Sequence, residues 1–464
     1  MLRIIVFSLL TLLLSSTGTM AQKPSILPEP TELKMGNINS KFELNHDTRI
    51  IFSFDDSSSQ QAIDELDRII ADIFGIKLKR NTKTKGLNNI IFKPNNSIKD
   101  EGYTLDITPE NIIIQSKDGA GFFYAVQTLK QIIPVQAFET PIDLERLNLP
   151  TIKIKDAPHF KYRGFMLDCS RHFWDVATIK ETLDILAMHK MNRFHWHLTE
   201  DQGWRIEIKK YPLLTEIGSL REQTTTGHNE GLDGIPYGGY YTQEDIKEIV
   251  KYAKERFITI IPEIEIPGHS LGALSAYPWL GCEGEKGNYK TWSYWGVSKQ
   301  IACAGKESTF KFWENVLKEV IALFPSEYIH IGGDEAPRDL WKECPDCQKR
   351  IKENNLKNEA ELQSYVNSRI EKFLNDNGRK MIGWDEIIEG GISQSATIMS
   401  WRGAEGGIAA AKKGNYAIMT PNSHCYFDYR QTTDRKDELD SNGSYIPLRK
   451  VYMYNPYEKL SKDE

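Results

Sequence analysis

No apolar run in this chain is long enough to cross a bilayer, which takes roughly 20 residues as a helix. The one candidate, Ile4 to Leu14, is too short. Positive charge is also in deficit. The formal net charge is −6, or −7 once the segment holding Arg3 is removed, and an acidic chain is a poor general binder of phosphate backbones. Nucleic acid is therefore not an expected partner. The only basic run, Lys77-Leu-Lys-Arg80 continuing to Lys83 and Lys85, alternates with Ile76 and Leu78 and reads as a solvated strand face. Cysteine is scarce, with six in 464 residues. Cys344-Pro-Asp-Cys347 has half the spacing of a zinc knuckle, but no second such pair follows, so no zinc site is expected. A clip between Cys282 and Cys303, which bracket a loop rich in Gly, Trp and Tyr, is the one disulfide expected.

What is present begins with an export signal. Arg3 gives a positive start, Ile4 to Leu14 an apolar stretch, and Thr19-Met20-Ala21 small residues where a signal peptidase would cut. Residues 1–21 are thus expected to be a signal peptide, and the protein to be secreted or periplasmic with no membrane span after its removal. Residues 22–151 read as a small α+β domain. Strands are expected at Asn89 to Lys93, Gly102 to Ile107 and Asn111 to Gln115, and a helix over Gly119 to Ile133. Pro134, Pro141, Pro150 and Pro158 punctuate the exit from it.

From residue 152 the rhythm changes to strand, polar end, helix. Seven candidate strands end near Asp168, Leu198, Ile266, Gly332, Trp384, Trp401 and Thr420. The helices between them have clear apolar faces, such as Ile246, Ile249, Val250 and Ala253 behind a Thr242-x-x-Asp245 cap. Repeated βα units with polar residues at the strand ends predict a TIM-type (β/α)8 barrel with its site at the C-terminal rim. No eighth strand is legible before residue 464, so the catalytic domain at 152–464 is expected to be C-terminally incomplete.

Those strand ends gather Asp168, Arg171, His195, His197, Glu200, Asp201, Glu263, Glu265, His269, Trp384, Asp385, Glu386, Trp401, Tyr426 and Asp428. Most telling is Tyr328-Ile-His-Ile-Gly-Gly-Asp334-Glu335, an apolar run that stops at two glycines and delivers two consecutive carboxylates. Sugars suit this mixture, since ring faces stack on aromatics and glycosidic cleavage needs a carboxylic acid with a raised pKa. Adjacent carboxylates sit on one side of a substrate, unlike the two-strand arrangement of an ordinary retaining glycosidase. Such a pair suits a plan in which the nucleophile belongs to the substrate.

On these motifs the chain resembles the family 20 glycoside hydrolases, the β-N-acetylhexosaminidases. The resemblance rests on Arg163-Gly-Phe-Met-Leu-Asp-Cys-Ser-Arg-His-Phe173, His195-Trp-His-Leu-Thr-Glu-Asp-Gln-Gly-Trp-Arg205, Pro262-Glu-Ile-Glu-Ile-Pro-Gly-His269, His330-Ile-Gly-Gly-Asp-Glu335, Gly383-Trp-Asp385, Ser400-Trp401 and Tyr426-Phe-Asp428. It implies that Glu335 is the general acid/base, and that Asp334 holds the substrate's 2-acetamido N–H and balances an oxazolinium intermediate. It further implies that Tyr426 hydrogen-bonds the acetamide oxygen and that Trp384 and Trp401 wall its pocket. Arg171 and Asp428 would grip the non-reducing hydroxyls, with His269 and Glu200 as a relay behind Glu335. Neither cofactor nor metal is implied, and the partner is an oligosaccharide or glycoconjugate ending in N-acetylhexosamine. The chain departs from the family pattern at Glu200, where Asp is commoner, which leaves Asp201 as the alternative relay member. It also offers no match for the Trp and Glu of the eighth strand. Two other readings are open: a metal-dependent barrel hydrolase using His195, His197, His269 and Asp334, and a truncated, non-catalytic sugar-binding form.

Overall fold

The computed structural model describes residues 23–83, 86–139, 145–434, 444–458 and 460–461, so the expected export segment at 1–21 lies outside the described residues. The chain divides into two compact units. The first runs to Lys161 and includes Asp184–Met191 and Glu255–Phe257; the second holds Tyr162–Leu183, Asn192–Lys254 and Ile258 onward.

In the first unit, strands Glu32–Met35, Ile152–Asp156, Tyr103–Ile107, Asn111–Ser116, Asn89–Pro94, Arg49–Ile51 and Lys79–Asn81 lie side by side in that order. Tyr103–Ile107 and Asn111–Ser116 alternate buried and half-exposed residues, the period of a one-faced sheet. Gly119–Ile132 forms the expected helix, with the Asp118 carboxylate accepting the Gly121 amide as its cap. A second helix, Ser57–Phe74, is capped by Asp56 and buries Ala62, Ile63, Leu66, Ile69, Ile70 and Ile73. The basic run is exposed as expected, and Arg80 is held by Asp64 and Asp67 of that helix; Lys85 lies outside the described residues. Ile152–Asp156 pairs with Glu32–Met35 and Tyr103–Ile107. The first unit therefore extends ten residues beyond the expected boundary at 151, because the segment between two of the boundary prolines is one of its own strands.

The second unit is built on β1 (Gly164–Asp168), β2 (Arg193–His197), β3 (Thr259–Glu263), β4 (Tyr328–His330), β5 (Lys380–Trp384), β6 (Thr397–Ser400) and β7 (Ala417–Met419). They are hydrogen-bonded in chain order and all parallel. This is the strand succession of a TIM-type barrel, with β1 and β7 at the edges among the described residues. Helices α1 (Val176–Met188), α2 (Gln243–Lys254), α3 (Glu307–Leu323), α4 (Glu359–Asp376) and α5 (Glu405–Lys412) follow β1, β2, β3, β4 and β6. The predicted cap of α2 is formed on both sides: Asp245 accepts the Thr242 amide (2.8 Å), and Thr242 Oγ1 accepts the Asp245 amide (3.1 Å).

The expected Cys282–Cys303 bond is not formed, and none of the six cysteines is disulfide-bonded. A bridge between Gly281 and Ala302 does bring the two cysteines together, but Cys344 and Cys347 meet them there, and the four sulfurs lie within 4.8 Å of one another. The partner pair missing from the local sequence pattern comes from a loop some forty to sixty residues upstream.

Candidate active site

Strand register sets the floor of the site. Pairing places Asp168 level with His197, His197 with Glu263, and Glu263 with His330 across β1 to β4. Level residues of parallel strands share a face, so one row of acid, imidazole, acid, imidazole forms at the strand ends. His195, two residues before His197, shares that face and puts Nε2 2.8 Å from Glu263 Oε2. Glu263 also accepts the Trp384 indole N–H at 2.8 Å. All of these but Asp168 are buried. Burial disfavours charge on Glu263, but His197, His330 and His195 around it hold its carboxyl well below the usual range. Burial drives His195 down to about 4. Above this row His197 Nε2 lies 3.3 Å from Glu265 Oε1. Burial, with Asp334 and Glu263 nearby, pushes Glu265 well above the ordinary carboxylic range.

The rim is shaped by unusual backbone. Just beyond β4 the chain passes through Gly332 (φ 65) and Gly333 (φ 88), and Glu335 itself has φ 42. A Cβ at Gly332 would fall 1.8 Å from Glu265 Oε2, so glycine is required there for space as well as conformation. After β3 the chain turns through His269 at φ 46. Non-glycine residues in this left-handed region carry strain of about 1–3 kcal/mol, and such residues concentrate at functional sites.

Five of the nine site residues expected from sequence form one connected group. Arg171 Nη1 donates to Asp168 (2.8 Å) and Nη2 pairs with Glu200. Glu200 Oε1 lies 2.9 Å from His269 Nδ1. On its other side His269 Nε2 is 3.5 Å from Asp334 Oδ2 and 3.6 Å from Glu335 Oε2. Asp201 Oδ2 is farther from Nδ1, at 3.5 Å, and its oxygens accept the amides of Leu271 and Ser298. Glu200 is thus the nearer of the two carboxylates to His269. Burial opposes charge on His269, but Glu200 and Asp334 on either side raise it well above the ordinary imidazole range.

The two adjacent carboxylates diverge. Asp334 is 16% exposed; burial works against its charge, yet His269 holds it below the usual carboxylate range. Glu335 is 40% exposed, and burial of its carboxyl raises it, with His269 opposing and Asp334 assisting.

The aromatic residues split between floor and wall. Trp384 is 5% exposed and packs with Ile261, Ile382 and Met399, so it belongs to the core as much as to the rim. Trp401 is half-buried and stacks on Tyr426 with ring centres 6.2 Å apart and planes 22° apart. Burial, then the charges of Asp334 and Asp428, pushes the Tyr426 phenol upward. Asp428 is exposed two residues further on. Glu386, which carried no role in the sequence reading, accepts the Trp401 N–H (2.9 Å). Burial moves it to about 8. It and Glu335 line a cleft of about 550 Å³ with Arg338, Gln363 and Arg402.

A TIM-type domain whose rim carries paired carboxylates, an imidazole between acids and stacked aromatics has the side chains that sugar cleavage calls for. The model of the glycosyl hydrolase family 20 catalytic domain matches residues 160–464, and that of domain 2 of the same family matches residues 23–157. The chain belongs to glycosyl hydrolase family 20. It is 52% identical over 363 residues to a beta-hexosaminidase of Porphyromonas gingivalis, covering 78% of this chain and 45% of that relative; the chain thus spans less than half of that relative's length. A beta-hexosaminidase of Vibrio furnissii is 35% identical over 96% of this chain and 71% of its own. Among solved structures, a family 20 exo beta-N-acetylglucosaminidase of Vibrio harveyi in complex with N-acetylglucosamine superposes with a TM-score of 0.83. It is 31% identical, over 95% of this chain and 67% of its own. A beta-N-acetylhexosaminidase of Bacteroides fragilis gives 0.77 at 35% identity, over 94% and 82%.

Proposed function

We propose that this protein is an exo-acting β-N-acetylhexosaminidase that releases terminal, non-reducing β-linked N-acetylhexosamine with retention, through an oxazolinium formed by the substrate's own acetamide. The observation that carries this reading is the placement of Asp334 and Glu335 around one imidazole, 3.5 and 3.6 Å from His269 Nε2, where His269, against burial, shifts Asp334 below the usual carboxylate range and burial shifts Glu335 above it. Titratable neighbours pushed apart in this way mark the acid and the base of a site. Substrate-assisted catalysis needs only one protein carboxyl to move protons and a second to steer the acetamide, which is what an adjacent pair can supply.

In this reading Glu335, the more exposed carboxyl, protonates the leaving oxygen and later activates water. Asp334 orients the acetamide N–H and balances the cation. Tyr426, stacked on Trp401, hydrogen-bonds the acetamide oxygen, while Trp401 and Trp384 enclose the acetamide. Arg171 and Asp428 bind the non-reducing hydroxyls. His269, anchored by Glu200, sets the charge around both carboxylates. Support for the substrate class comes from the names of the relatives and from the N-acetylglucosamine bound in the Vibrio harveyi neighbour. Export of the chain is part of the same proposal, supported by the pattern of residues 1–21; N-terminal sequencing of the exported protein should begin at Gln22. The function is tested by hydrolysis of aryl β-N-acetylglucosaminide and β-N-acetylgalactosaminide beside the aryl β-glucoside. Release from the acetamido sugars alone is expected, and equal release from the glucoside would contradict a nucleophile supplied by the substrate.

A further inference from the structure

Cys282, Cys303, Cys344 and Cys347 form a cluster that the sugar chemistry does not use. Cys303, Cys344 and Cys347 are buried, and the sulfurs of Cys303 and Cys344, Cys303 and Cys347, and Cys282 and Cys347 lie 3.7, 3.6 and 3.9 Å apart. A disulfide would bring sulfurs to about 2.05 Å and give each a single partner. Here Cys303 is close to two sulfurs, and so is Cys347. Four thiolates around a tetrahedral zinc at about 2.3 Å stand about 3.8 Å apart along each edge, which these three separations match, and all four sulfurs lie within 4.8 Å of one another.

The surroundings are built to hold this arrangement. Cys303 and Cys282 are fixed by the Gly281–Ala302 bridge and by the Cys303 amide bonding the Leu280 carbonyl (2.8 Å). Cys344 and Cys347 open the helix Pro345–Glu353. The two halves are drawn together at Gly305, where any Cβ would sit 2.2 Å from the Asp346 carbonyl carbon, and by the Trp341 indole donating to the Ala302 carbonyl (3.0 Å). Lys306 bonds the Gly281 carbonyl (2.6 Å) and Arg350 the Gly305 carbonyl (2.9 Å). Their charges offset the two net negative charges of a zinc tetrathiolate.

We propose that these four cysteines bind a structural zinc ion that fastens the loop after β3, which carries His269, to the segment after β4, which carries Asp334 and Glu335. Each thiol gives its proton to solvent as the ion binds, and no electron is transferred. With all four positions filled by sulfur, the ion has no open position for substrate and acts through loop position alone.

Elemental analysis of the full-length protein, purified without added metal, should find one zinc per chain. Intact mass should equal that of the fully reduced polypeptide, and all six thiols should react once the protein is denatured in chelator. Cobalt substitution should give the visible and near-ultraviolet bands of tetrahedral thiolate coordination. Cys303→Ser and Cys347→Ser should each lose the zinc. If either fails to accumulate, the measurements on the unaltered chain decide. A metal-free protein lighter by four hydrogens, with the cluster's thiols unreactive, would establish two disulfides and overturn the proposal. Metal-free protein with six free thiols, or iron in place of zinc, would overturn it equally.

Discussion

Glu335 and Asp334 are adjacent in the chain and do opposite work in the proposed mechanism, so their substitutions should separate. Glu335→Gln should lower turnover of substrates with poor leaving groups by about 10²–10⁴, the range of a general acid, and spare activated aryl substrates far more. Parallel losses on both would remove Glu335 from that role. Asp334→Asn should slow N-acetylated substrates by about 10²-fold or more, as expected when a preorganised charge partner is lost. The pH profile follows from the same pair. Asp334, depressed, stays ionised to lower pH than an ordinary carboxylate, and Glu335, raised, stays protonated to higher pH; activity should fall on the acid side as Asp334 gains its proton and on the alkaline side as Glu335 loses its own. His269 lowers both groups, so His269→Phe should move both limbs of kcat/KM upward in pH. A lower rate with unmoved limbs would deny the imidazole this influence. At this scale the sequence was partly legible. Two carboxylates after Gly-Gly announced themselves by position, whereas the Glu263 and Glu265 network with three histidines depends on strand register, which no local pattern carries. Glu386 likewise gains interest only from the Trp401 indole and its burial.

The elements that carry these residues were read with uneven success, for physical reasons. The seven barrel strands were visible as short, largely apolar segments ending in polar clusters, β-branched in Thr259–Glu263 and Thr397–Ser400 and aromatic in Arg193–His197, because parallel strands are covered on both faces. The first unit yielded less: Glu32–Met35 and Arg49–Ile51 are four and three residues long, too short for a period to declare itself. Helix Ser57–Phe74 has helical spacing, but its polar opening Ser-Ser-Ser-Gln-Gln hides where the apolar face begins. The boundary at 151 fell early because prolines can flank a strand as readily as a linker. Two element-scale predictions follow from the caps and turns. Thr242→Ala should cost about 1 kcal/mol of stability through the α2 cap, read as a lower urea midpoint with unchanged KM. Gly332→Ala should be far worse, displacing Glu265 and abolishing activity; a fully active variant would show that the β4 turn is less constrained than its 1.8 Å clearance implies.

For the whole molecule, family membership and a TIM-type domain preceded by a smaller α+β unit agree with what the sequence alone suggested. The cysteine cluster does not, because its halves come from loops separated by a strand and a helix and meet only when β3 and β4 pair. No helix among the described residues is long and apolar enough to cross a membrane. The central claim for the molecule is that its substrate supplies the nucleophile to the site at Asp334 and Glu335, and inhibition by a thiazoline analogue of N-acetylglucosamine tests it most directly. A cyclic mimic of the oxazolinium should inhibit competitively and bind at least about 10²-fold more tightly than the product sugar, as intermediate and transition-state mimics do, and Asp334→Asn should erase most of that advantage. A thiazoline that binds no better than N-acetylglucosamine, in an enzyme that still hydrolyses the aryl substrate, would contradict the account.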